Sequence, residues 1–217
     1  MENLLIVLPV LIFSIVLHEV AHGWVAHRQG DATAAMLGRL TLNPIPHIDP
    51  VGSILLPAML ALTGTGMILG WAKPVPVNPR NFRNYKRGDI LVSLAGVTVN
   101  FFLAFGFAIL WAASEWGFRF APGLIGVWEA LAQMAQYGVY INFALMMFNL
   151  IPIPPLDGSH VFAYLLPPRL AVPYRQLGMR GIVVLFILLY FGGFRFLAWP
   201  VEMLFTVAVH FKDLLVV

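Results

Sequence analysis

Apolar residues run from Leu4 to about Val25, and the ionisable side chains set inside that run are His18, Glu19 and His22. At 1.5 Å per residue the stretch suffices for one helical crossing of a hydrocarbon core about 30 Å thick. Arg28, Gly30 and Asp31 end it, and a polar connection carrying Arg39 leads to Asp49-Pro50, over which irregular structure, with room for short strands, is expected. Further apolar stretches cover 51–71, 90–113, 126–150, 181–191 and 196–217, with Gly192-Gly193 between the last two. The stretch 181–191 reaches spanning length only if it begins near Leu177. The pattern predicts an all-α polytopic membrane protein of five to six apolar segments, a single domain over residues 1–217 with no soluble domain.

The stretch 51–71 is broken by Pro57, Gly64, Gly66 and Gly70, and Lys73, Arg80, Arg83, Lys86 and Arg87 follow it. A full crossing there would put two basic loops on opposite faces, against the bias of Lys and Arg toward the cytoplasm. A re-entrant element keeps both on one side. Irregular backbone at that depth needs protein or water to satisfy it, as around an active site, and a short β-hairpin is expected nearby. The loop after 113 carries only Glu115 and Arg119 and suits the outer face. Residues 151–180, with Pro152, Pro154, Pro155, Pro167, Pro168, Pro173, Arg169, Arg175 and Arg180, read as cytoplasmic, which leaves the N-terminus outside.

Composition sharpens this picture. The 217 residues are 60% hydrophobic and 11% charged, against about 25% charged in soluble domains, and mean hydropathy is +0.84. The net charge of +3 sits in a few loops and speaks to topology and anionic lipid, with no nucleic-acid reader in the chain. With no cysteine, any metal must be held by nitrogen and oxygen donors. The first apolar stretch follows Met-Glu-Asn without a basic region or a small-residue cleavage pattern, so a retained span is expected.

His18-Glu19-Val20-Ala21-His22 puts two imidazoles one turn apart on one helix face, close enough to share a zinc ion, with Glu19 flanking the metal. Ionisable groups in an apolar helix cost several kcal/mol unless they have partners or a function. A catalytic zinc takes three protein ligands and keeps a fourth position open. The candidate third ligand is Asp157, in Asn149-Leu150-Ile151-Pro152-Ile153-Pro154-Pro155-Leu156-Asp157-Gly158, just after a proline-stiffened turn at the same end as His22.

Together the two motifs resemble the site-2 protease family of intramembrane metalloproteases, whose signatures are H-E-x-x-H in one span and N-x-x-P-x-P-x-x-D-G in a later one. Gly70-Trp71-Ala72-Lys73-Pro74-Val75-Pro76-Val77-Asn78 is similar to the loop of the compact bacterial and archaeal members that lack PDZ and CBS domains. The resemblance implies His18, His22 and Asp157 as ligands of one Zn2+ ion, and Glu19 as the general base that takes a proton from the water at the metal. It implies a prokaryotic cell membrane, with transmembrane proteins as substrates and lipid as surroundings. The family's A-G-P-x-x-N motif is met by Ala95-Gly96-Val97-Thr98-Val99-Asn100, where Val97 replaces the proline. Asn100, and similarly Asn149, is expected to meet an unwound substrate backbone. Extended substrate could then pair with backbone of 39–51 or 73–78.

His160 is expected in a supporting or capping role, His47-Ile48-Asp49 as a polar turn, and Asp89 as the cap of the third segment. Two other classes compete: a non-catalytic membrane metal-binding or chaperone-like protein, and a zinc transporter. A pure binder has no need of Glu19, and a transporter would spread its polar groups through several spans instead of one depth. No segment of the chain names a regulator.

Overall fold

The computed structural model describes residues 2–55, 59, 71–193 and 195–216, and among them every regular element is helical. The α-helices are α1 (Glu2–Gln29), α2 (Thr33–Met36), α3 (Tyr85–Phe120), α4 (Ile125–Asn149), α5 (Asp157–Ala163), α6 (Pro168–Leu177), α7 (Gly181–Tyr190) and α8 (Ala198–Val216). Two are long and apolar enough to cross a membrane, α1 over Leu5–Gln29 and α3 over its whole length. The pair α6 and α7, bent by 78°, adds a third if it is one broken span. Length and hydropathy thus mark two or three crossings among the described residues, where five to six apolar segments, one of them re-entrant, are expected from the sequence. In the other long helices polar side chains interrupt the apolar run, Gln133, Gln136 and Asn142 in α4 and Glu202, Lys212 and Asp213 in α8. In α8, Lys212 is paired, its Nζ lying 2.7 Å from Glu115 and 2.6 Å from Asp213.

Small residues bring the helices together. Ala104, Ala108 and Ala112 recur every four positions on α3 and are buried, as are Ala132, Ala135 and Val139 of α4. Without large side chains between them, helix backbones approach closely, which is how helices associate where no water drives them. At Gly138 an added Cβ would lie 2.3 Å from the Phe107 ring. The core is completed by Phe143 and Met146 of α4, and by Val201 and Ala208 of α8. The helix α1 packs across α3 and α4, and so carries residue 18 into their seam.

Helix α3 starts earlier than the sequence suggests. Asn84 is its cap, accepting from the Arg87 N–H at 2.9 Å, so the helix begins at Tyr85 and not near Ile90. Asp89, expected as the cap, lies a turn inside the helix and bonds to His160 and Tyr164 instead. The helix continues unbroken through Val97, which fits the absence of proline there.

The expected strands and β-hairpin do not occur among the described residues. Residues 71–78 carry no regular structure because their polar groups find partners elsewhere. Lys73 N–H donates to the His47 carbonyl (2.8 Å), Val75 N–H to Glu19 (2.8 Å) and Asn78 N–H to Asp31 (2.6 Å). Arg39 donates to the carbonyls of Lys73 (2.9 Å) and Pro74 (3.3 Å), and Pro74 and Pro76 have no N–H at all. The N–H groups of Lys73, Val75 and Asn78 are thereby taken up outside any ladder. The re-entrant reading of 51–71 falls mostly outside the described residues; Pro50–Leu55 form one turn of π-helix, with Asp49 accepting from the N–H groups of Val51 and Gly52.

Asp31 anchors this non-helical strap. It is fully buried and accepts from Thr33 N–H (3.2 Å), Thr33 O–H (2.5 Å), Asn78 N–H (2.6 Å) and Asn81 Nδ2 (2.8 Å). Burial acts to raise its pKa, but the bonds from Thr33, Asn78 and Asn81 outweigh it and hold the carboxyl below its ordinary value. Asp31→Ala should therefore lower stability by about 2–3 kcal/mol and open 71–83 to protease, measured by thermal unfolding in detergent and limited proteolysis. A depressed folded pKa means the ionic contribution is complete above about pH 4 and lost as pH falls through the lowered value. The gap between wild-type and variant melting temperatures should close in that acid range.

Candidate active site

Helix α1 stacks His18 and His22 one turn apart, with ring centroids 4.6 Å apart and the two Nε2 atoms 3.0 Å apart. Asp157 is the first residue of α5, and its Oδ2 lies 3.2 Å from His18 Nε2 and 3.3 Å from His22 Nε2. The chain reaches this position by doubling back after α4. Leu156 N–H bonds to the Ile153 carbonyl (3.0 Å), and Gly158 presses against the end of α4, where a Cβ would lie 2.2 Å from the Leu150 carbonyl oxygen. Only glycine permits so close an approach, which explains the Asp-Gly pair.

These three atoms could hold one metal ion. In tetrahedral coordination with bonds of about 2.0–2.1 Å, neighbouring donors stand roughly 3.3–3.4 Å apart, close to the separations of 3.0, 3.2 and 3.3 Å found here. The chemistry of the donors fits as well. Asp157 Oδ2 is buried and has no hydrogen-bond partner despite its two imidazole neighbours. His22 Nδ1 lies 2.7 Å from the Val92 carbonyl, which can only accept, so Nδ1 carries a proton, and in the neutral ring Nε2 then keeps its lone pair. A buried carboxylate oxygen facing a lone pair is unfavourable until a cation lies between them.

The His18 ring occupies a slot made by Gly96 of α3, where a Cβ would come within 2.4 Å of the imidazole. Behind it, His18 Nδ1 is 2.5 Å from Asn100 Oδ1. Asn100 is fully buried and also bonds to Asn142, which bonds to Ser14. Asn100 therefore faces away from the cavity, and the expectation that it meets substrate gives way to a contact with His18. Asn142 and Ser14 were not singled out in the sequence, although amide and hydroxyl groups inside apolar spans are themselves a signal.

Glu19 also lines the cavity, where its Oε2 accepts from Val75 N–H at 2.8 Å. The cavity encloses about 510 Å³. Besides the three donors and Glu19 it is lined by Asn149, Asp89 and His160, and by apolar residues such as Leu145, Leu185 and Phe186. Asn149 is half-buried there, its Nδ2 bonded to the Leu145 carbonyl at 2.9 Å. His160 supports the site: its Nδ1 lies 3.1 Å from Asp89 Oδ1, which raises the imidazole pKa against the effect of burial. Tyr164 O–H donates to the other Asp89 oxygen at 2.8 Å, so α5 is tied to α3 beside Asp157. His47, in the expected polar turn, is buried, with Nε2 3.0 Å from the Thr41 carbonyl.

Comparison with known proteins agrees with this chemistry. The model of "Peptidase family M50" matches residues 120–191. The chain is 38% identical over 191 residues to "Putative zinc metalloprotease YwhC" of Bacillus subtilis, covering 88% of this chain and 82% of that protein. It is 34% identical over 187 residues to "Putative zinc metalloprotease Rip2" of Mycobacterium tuberculosis, covering 84% of this chain and 67% of that one. No solved structure matches. An all-helical membrane protein with these relatives is a zinc metalloprotease. The chain belongs to peptidase family M50, the site-2 protease family.

The tight slot makes Gly96 a sensitive position. Gly96→Ala should displace the His18 ring and destabilise the α1–α3 contact by about 1–3 kcal/mol. A lower melting temperature with a shifted His18 imidazole resonance is expected, and unchanged values of both would contradict the packing described.

Proposed function

We propose that residues 1–217 act as one catalytic domain that hydrolyses peptide bonds in or near the transmembrane segments of other membrane proteins. His18, His22 and Asp157 hold a single zinc ion and Glu19 is the general base. The observation that carries this reading is the convergence of Nε2, Nε2 and a partnerless carboxylate oxygen within 3.3 Å, in a cavity that Glu19 also lines. Zinc held there supplies a Lewis acid that brings the pKa of water to about 7 and polarises a carbonyl.

The chain's own residues do the rest. Glu19 takes a proton from the attacking water, a C–O bond forms at the scissile carbonyl, and as the C–N bond breaks the same carboxyl passes the proton to the leaving nitrogen. Val75 N–H holds one Glu19 oxygen and leaves the other for that exchange. The apolar wall around Leu145, Leu185 and Phe186 suits side chains drawn from a membrane span, and Asn149 offers an amide to substrate backbone. A helical substrate must unwind first, because its own hydrogen bonds protect the peptide.

The same reading sets the orientation. Arg28, Arg39, Lys73 and the basic residues of 80–87 and 169–180 share the end of the molecule with the site, which argues for a cytoplasmic active site and an outer N-terminus. Packed against α3, α4 and α8 cross with it, and two of their polar side chains, Asn142 and Lys212, are paired with Asn100 and Glu115 of α3. Lipid surrounds this bundle in a cell membrane.

The test uses detergent-purified wild type and Glu19→Gln, a set of single-span peptides, and zinc content measured on both. Both proteins should retain zinc, and the variant should cleave about 10²–10⁴-fold more slowly. Equal inactivity with zinc bound would favour a non-catalytic binder. Asp157→Asn should lower zinc content together with cleavage.

A further inference from the structure

We infer that Asn100 and Asn142 are positioning residues that set the tautomer of His18, with the carbonyl of Gly138 as the fixed end of the chain of bonds. Asn142 Nδ2 lies 2.8 Å from the Gly138 carbonyl and 2.8 Å from Ser14 Oγ. A backbone carbonyl accepts and never donates, so the amide nitrogen of Asn142 must face it. Asn142 Oδ1 is thereby turned toward Asn100, whose Nδ2 donates to it at 2.8 Å.

With its nitrogen committed, Asn100 can present only Oδ1 to His18 Nδ1, at 2.5 Å. An amide oxygen accepts and never donates. His18 therefore carries a proton on Nδ1, and its Nε2 lone pair faces His22 and Asp157. His22 reaches the same state in one step, through the Val92 carbonyl.

Burial gives the chain of bonds its force. Ser14, Asn100 and Asn142 are 0% exposed and His18 is 7% exposed, so no water can correct a wrong orientation. Turning either amide over would set donor against donor or acceptor against acceptor in a dry interior. Three helices contribute, Ser14 from α1, Asn100 from α3, Asn142 and Gly138 from α4. The state of His18 thus depends on the docking of all three, 42 residues separating Asn100 from Asn142 and 128 separating Asn142 from Ser14.

The consequence for metal affinity rests on the ligand role proposed for His18; the tautomer itself does not. The experiment records 15N spectra of histidine-labelled, metal-free protein at alkaline pH, with His18 assigned by loss of its signals in His18→Gln. It also measures zinc affinity by chelator competition. Wild type should show His18 protonated at Nδ1. Asn100→Leu and Asn142→Leu should move His18 toward Nε2–H and weaken zinc binding about 10–100-fold, the effect of losing a group that orients a metal-bound histidine. Asn100→Asp, whose carboxyl offers His18 an acceptor while its second oxygen meets Asn142 Oδ1, should keep the wild-type tautomer even if the protein is less stable.

An Nε2–H form in wild type, or an unchanged Nδ1–H form in both leucine variants, would overturn the inference. The wild-type spectrum decides even if a leucine variant fails to fold. Should the wild type bind no zinc, the proposed function fails while the spectra still judge the relay. A merely structural role would lower melting temperature without moving the proton between ring nitrogens.

Discussion

Three donor atoms that face one another inside an apolar bundle, at separations of 3.0, 3.2 and 3.3 Å, are the constraint around which this protein is built. With both rings neutral and protonated at Nδ1, each turns a lone pair toward the carboxylate, and burial removes the water that would soften that arrangement. The fold holds them in place from several directions. Gly96 clears the space for one ring, the Val92 carbonyl orients the other, and Gly158 lets the turn bring Asp157 up against α4. Asp89, bonded to His160 and Tyr164, ties down the helix that Asp157 begins.

Two sets of polar groups in the bundle are satisfied within it. Asn100, Asn142 and Ser14 bond in sequence behind His18. At the far end of α3, Lys212 is paired with Glu115 and Asp213. Between these polar layers the contact is made by alanine and glycine, which allow α3 and α4 to approach closely enough for two asparagine side chains to meet. Small-residue packing and the polar chain are thus one arrangement: larger side chains at the seam would separate the amides that orient His18.

The non-helical side of the cavity follows a different logic. Residues 71–78 are held by carboxylates and a guanidinium, with Glu19 and Asp31 accepting backbone N–H groups and Arg39 covering two carbonyls. Prolines along the strap reduce the number of donors that need partners. One of the two acidic residues is also the proposed base, so the strap and the chemistry share Glu19. A rigid helical wall bearing the donors faces an irregular wall bearing the base's partner.

That His18 and His22 meet on one helix face was legible in the sequence because helical spacing is local: residues four apart return to the same face. Asp157 was legible as part of a second motif, and the all-helical, membrane-embedded character followed from apolar run lengths and composition. The start of α3, the irregular backbone of 71–78, and the contacts of Asp89 and Asn100 were not. Each depends on which side chain lies opposite, as when Asn84 caps α3 and frees Asp89 for His160. Asn100 illustrates the difference most clearly. The sequence places an amide on α3 near the site, but whether that amide meets substrate or His18 is decided by the crossing of α1, α3 and α4. Local periodicity fixes which residues share a face, whereas the choice of partner across helices comes from close packing, which couples residues far apart in the chain.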